Sequence, residues 1–81
     1  LTEERRRELA KMCSKYAEEC RVAIRNARRD GNADIEKAQK NDGLPEDEAR
    51  RAEEQVQKMT DAHIASVDEA LKKKEADIME V

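Results

Sequence analysis

Four arginines and no acid occupy the nine residues Arg21-Val22-Ala23-Ile24-Arg25-Asn26-Ala27-Arg28-Arg29. On a helix turning about 100° per residue, Arg25 lies at about +40° from Arg21, Arg28 at about −20° and Arg29 at about +80°. The four share one ridge, and Ala23, Ile24 and Ala27 are assigned to the arc behind it, against a core. Guanidinium groups bind phosphate oxygens through paired donors and stack on exposed bases. Such a ridge on an anchored helix suits the surface of a folded RNA. The same spacing also suits a solvated face whose arginines pair with acids such as Glu18 or Asp30. Residue types and spacing leave both readings open.

Other side chains with chemical potential read as structural. His63 falls inside an apolar stripe and is expected to be a packed core histidine. Cys13 and Cys20 are seven residues apart, about 10 Å along one helix, too far for a disulfide within it. Their spacing is not a zinc pattern either, so both are expected to be reduced, core-facing thiols. Acidic pairs such as Glu18-Glu19 and Glu53-Glu54 belong on solvated faces. Met12, Met59 and Met79 read as adaptable packing residues. With no Ser-His-Asp or Cys-His arrangement and no glycine-rich phosphate loop, the sequence points to neither an enzyme nor a cofactor.

The elements that must carry these residues are helices. Of 81 residues, 46% are charged, Tyr16 is the only aromatic, and there are two Gly and one Pro. That is the composition of long helices or coiled coils, and nothing in it suggests a sheet. The run Lys40-Asn41-Asp42-Gly43-Leu44-Pro45 is the clearest turn signal. Before it, Leu9, Met12/Cys13, Tyr16, Cys20, Ala23/Ile24, Ala27, Gly31, Ile35 and Ala38 recur at helical spacing. They form a stripe about 140° wide. After it, Ala49, Ala52, Val56, Met59, His63, Ile64, Val67, Ala70/Leu71 and Ile78 form a second stripe. Thr2 suits an N-cap, Pro45 suits a first helical turn, and Gly31 costs about 1 kcal/mol relative to Ala while permitting a close approach or slight bend.

The expected fold is all-α, a single helical segment over residues 1–81. It comprises a helix over about 2–41, a turn at 42–45 and a helix over about 45–79. So short a turn makes the helices antiparallel. Two helices leave part of each stripe uncovered, so the pair is expected to be part of a three-helix bundle. The third helix is then missing or supplied by another chain, and a homo-oligomer through the exposed apolar face is one outcome. No apolar run approaches the ~20 residues of a membrane span. Residues 1–41 hold 11 Lys/Arg against 8 Asp/Glu, while residues 42–81 hold 6 against 12. Any nucleic-acid partner is therefore expected to meet the first half. Opening on Leu1 rather than Met, the sequence is expected to be a fragment, a processed form or an engineered one.

The residues also resemble a family. Leu1-Thr2-Glu3-Glu4-Arg5-Arg6, Arg21-Val22-Ala23-Ile24-Arg25-Asn26-Ala27-Arg28-Arg29-Asp30, Val56-Gln57-Lys58-Met59-Thr60-Asp61 and Lys74-Glu75-Ala76-Asp77-Ile78-Met79-Glu80-Val81 look like successive signatures of ribosome recycling factors. The match covers the whole chain, and the arginine signature is its most specific part. The resemblance implies the second and third helices of a three-helix bundle, with the family's inserted second domain absent from this chain. It implies that Arg25 and Arg28 are the main contacts to large-subunit ribosomal RNA, supported by Arg21, Asn26 and Arg29. It also implies that the intact factor splits post-termination ribosomes with elongation factor G, in the cytoplasm or an organelle matrix or stroma. These 81 residues alone are expected not to recycle ribosomes. The competing expectation is a self-associating helical-hairpin interaction module, or an engineered scaffold without RNA binding.

Overall fold

The computed structural model describes residues 2–80, and the Leu1 and Val81 of the family resemblance lie outside them. Two helices, α1 (Glu3–Asn41) and α2 (Glu46–Glu80), pack along each other as an antiparallel hairpin measuring 60 × 15 × 8 Å. Thr2 caps α1 in extended conformation: its Oγ1 accepts from the Arg5 N–H at 3.1 Å, and its carbonyl accepts from the Arg6 N–H at 3.0 Å. Glu3 and Glu4 add negative charge where the helix dipole is positive. At the other end Gly43 adopts φ 69°, a left-handed conformation that glycine takes without a Cβ penalty. The Asp42 and Leu44 N–H groups both donate to the Ala38 carbonyl, at 2.9 and 3.2 Å. Pro45 stands immediately before α2, and its carbonyl accepts the Ala49 N–H at 3.0 Å.

The interface is a narrow seam. Ala10, Ala17, Ile24, Gly31 and Ala38, each seven residues from the next, are half-buried or buried on α1. That spacing keeps one line of a helix against a partner. On α2 the enclosed positions are Ala49, Ala52, Val56, Thr60, Ile64, Val67, Leu71 and Ile78. Only Ala17, Ala49 and Thr60 are fully buried among the described residues. Thr60 is the polar member, and its Oγ1 satisfies itself by donating to the Val56 carbonyl at 2.7 Å.

Several residues expected in the core lie outside the seam. Cys20, Ala23, Ala27, Met59, His63 and Ala70 are exposed, and Cys13 is half-buried. A single neighbouring helix covers only part of each wide stripe, so one edge of both stripes is left open. It forms a trough along one flank of the hairpin. Cys13, Tyr16, Cys20, Val67 and Leu71 line one stretch of it, and Ile24, Ala27, Val56, Met59 and His63 the next. Tyr16 is 57% exposed and Met59 58%. His63 takes no part in a packed core, and its Nδ1 lies 2.7 Å from the Met59 carbonyl one turn back. Both cysteines are free thiols. No helix of the described residues is long and apolar enough to cross a membrane.

Candidate nucleic-acid interface

Opposite the trough, the hairpin's other flank is polar. Arg28, Arg29, Asn32 and Glu36 of α1 face Glu53 and Gln57 of α2 across a shallow cleft. Farther along the same flank Arg21 meets Asp68. The arginine ridge borders this flank. It stands on uninterrupted α-helix, alongside the seam residues Ala17, Ile24 and Gly31.

The ridge residues fall into distinct environments. Arg25, Asn26 and Arg29 are exposed, whereas Arg21 and Arg28 are half-buried. Arg21 Nε donates to Asp68 Oδ1 at 2.8 Å and its Nη1 to Glu18 Oε1 at 3.3 Å. Arg25 Nη2 reaches the other oxygen of the same carboxylate, Glu18 Oε2, at 3.4 Å. Arg29 Nε lies 3.5 Å from Asp30 Oδ1. Arg28 makes no ion pair within 4.0 Å among the described residues. It sits where the apolar trough and the polar cleft meet, and it lines both.

Glu18 and Asp30 do pair with arginines, as the solvated-face reading expects. Those contacts to Arg25 and Arg29 are long and solvent-exposed, a class of ion pair that contributes little and exchanges readily for a stronger anion. Arg21 differs, because its bonds to Asp68 first and Glu18 second push its guanidinium pKa above the ordinary value. The ridge therefore offers Arg25, Arg28 and Arg29 as available cations, with Asn26 beside them as an uncharged donor and acceptor. Phosphate oxygens match that donor set. The described residues hold no group of three or more His, Cys, Asp or Glu placed to bind a metal ion.

Asp68 is the participant that sequence reasoning missed. It is 47 residues from Arg21 in sequence, and only the hairpin brings the two together. The expected arc of Ala23, Ile24 and Ala27 behind the ridge is also corrected. Ile24 is about 60° from Arg21 on the helix, so the seam lies beside Arg21 and Arg28 rather than opposite them. Ala23 and Ala27 consequently escape burial.

Comparison with known proteins places the whole chain among close relatives. The family model described as ribosome recycling factor matches residues 1–79. The ribosome-recycling factor of Geobacillus thermodenitrificans is 56% identical over 81 residues, which are 100% of this chain and 44% of that protein. The Bacillus subtilis protein of the same name is 54% identical, and that of Hyphomonas neptunium 58%, with the same coverage. The chain spans less than half the length of these curated relatives.

Proposed function

The chain belongs to the ribosome recycling factor family, and we propose that its arginine ridge docks the polar flank of the hairpin on RNA of the large ribosomal subunit. One observation carries this reading: a rigid helical ridge presents Arg25, Arg28 and Arg29 with weak intramolecular partners or none within 4.0 Å. Arg28 is the principal contact, because binding a phosphate costs it no ion pair. Arg25 and Arg29 exchange long contacts to Glu18 and Asp30 for shorter ones, and Asn26 adds hydrogen bonds to sugar or base edges.

In a protein of the relatives' full length, the docked hairpin serves as the RNA-binding arm of a factor that splits post-termination ribosomes with elongation factor G. GTP hydrolysis belongs to that partner, and the arm's work is positional: it makes and breaks no covalent bond.

The test is co-sedimentation with large ribosomal subunits across a salt series, comparing this chain with Arg28→Ala and with Arg25→Ala/Arg28→Ala. Affinity should fall with salt, and each lost phosphate contact should flatten the log–log slope by about one unit. Binding with an unchanged slope in the double variant would refute docking through the ridge.

A second reading has its own observation, the exposed apolar trough with Tyr16 and Met59 on its surface. It makes the hairpin a self-associating module. Sedimentation equilibrium showing a salt-insensitive dimer, in a chain without affinity for ribosomal subunits, would favour it over docking.

A further inference from the structure

Arg21 belongs to the ridge by sequence, yet its bonding is turned inward. Its Nε–Asp68 Oδ1 bond of 2.8 Å is the only side-chain hydrogen bond or ion pair joining α1 to α2 among the described residues. Its side chain is 23% exposed against 43% for Arg25. Glu18 links the two arginines, offering Oε1 to Arg21 and Oε2 to Arg25. A continuous chain of charge-assisted bonds therefore runs from Asp68 on α2, through Arg21 and Glu18, to Arg25 at the exposed centre of the ridge.

Reaching for a phosphate would cost Arg21 its shortest bond. It would also leave Asp68 without its partner, and Glu18 with only its long contact to Arg25, beside the polyanion. Arg28 faces neither cost.

We propose that Arg21 is a positioning residue and not an RNA contact: it ties α2 to α1 through Asp68, and it holds Glu18 where that carboxylate orients Arg25 in the unbound chain, before Arg25 exchanges the contact for phosphate. The proposal rests on the reading of the ridge as a docking surface. A guanidinium is suited to the role because its planar fork reaches two carboxylates on different helices at once, which a lysine ammonium does not reproduce.

The two possible roles of Arg21 give opposite signs at Asp68. Removing an acid beside a phosphate-binding surface ordinarily strengthens binding, and it would free Arg21 if Arg21 were a contact. In the positioning role, Asp68→Ala unties the helices and weakens binding.

The experiment measures affinity for large ribosomal subunits at fixed moderate salt. It uses the unaltered chain, Arg28→Ala as the reference contact variant, Arg21→Lys, Asp68→Ala, and Arg21→Ala/Asp68→Ala. Circular dichroism confirms equal helicity. Arg21→Lys retains charge and helix propensity, so it reports even where the alanine variants unfold.

The expected result is that Arg21→Lys and Asp68→Ala each weaken binding by about two- to five-fold, as for loss of a single partly exposed pair. The double variant should be no worse than the weaker single. Tighter binding by Asp68→Ala, or full affinity in Arg21→Lys, overturns the proposal while leaving docking through Arg28 intact. Absence of binding by the unaltered chain, or an Arg28→Ala variant that binds equally well, overturns the docking reading and this proposal with it.

Discussion

The two glycines should respond to the same substitution with opposite signs. Gly31 lies in the α1 seam in ordinary helical conformation. A Cβ built there would stand 3.9 Å from both methyl carbons of Val56. That is normal van der Waals contact, so the helices do not need a glycine in order to approach. Gly31→Ala then gains about 1 kcal/mol of helix propensity. A partly buried methyl against Val56 adds about half of the ~0.8 kcal/mol assigned to a fully buried carbon. The sum, about 1–1.5 kcal/mol, corresponds to a rise in Tm of about 5–10 °C for a chain of this size. Gly43 has φ +69° and nothing within 4 Å. Gly43→Ala meets no clash, but its Cβ incurs about 1–2 kcal/mol in the left-handed region, lowering Tm by a similar amount. Thermal and urea unfolding followed by circular dichroism would measure both. A lower Tm for Gly31→Ala would mean that α1 and α2 sit closer than the Val56 contact indicates, and the argument for the seam would fail.

Thr2→Ala removes the side-chain acceptor for the Arg5 N–H and should cost about 1 kcal/mol. A lower urea midpoint at unchanged slope, with faster amide exchange at Arg5, is the expected reading; an unchanged midpoint would remove Thr2 as a cap. Ala49 is 2% exposed near the hairpin's closed end, where a larger side chain has no room. Ala49→Leu should therefore destabilise by about 1–3 kcal/mol, and a Tm equal to or above that of the unaltered chain would contradict the burial.

Much of this architecture is legible in the residues alone. Asp42-Gly43-Leu44-Pro45 marks the turn, the apolar spacing marks two long helices, and the short connection makes them antiparallel. What the stripes do not specify is which part of their width the partner covers. Taken as a whole, the α1 stripe includes Cys20 and Ala27, both of which prove exposed. A finer signal lies in the seven-residue spacing of Ala10, Ala17, Ile24, Gly31 and Ala38, all but Ile24 small residues that allow close packing. Thr60 escaped notice because apolar periodicity counts it as polar, although its hydroxyl is satisfied within its own helix. The Arg21–Asp68 pair becomes legible only with the turn. In an antiparallel hairpin the numbers of facing residues add to a nearly constant value, and Gly31 with Val56 and Arg21 with Asp68 give 87 and 89. A turn centred near residue 44 therefore puts an acid of α2 opposite Arg21, while Arg28 faces the stretch around Thr60 and Asp61.

The division into two flanks bears on how the readings of this chain relate. The trough is mainly apolar and carries Tyr16, Cys20 and Met59, with Arg28, His63 and Lys74 at its edges. The polar flank carries the arginine ridge and offers little to an apolar helix. The two surfaces meet at Arg28, which lines both and makes no ion pair within 4.0 Å among the described residues. Covering the trough, by another helix or by a second copy, would bury apolar surface without occupying Arg25 or Arg29. Coverage of the trough would leave Arg25 and Arg29 free, so it does not compete with the proposed docking of the ridge. Arg28, which lines both depressions, is the ridge residue at which the apolar and polar flanks meet.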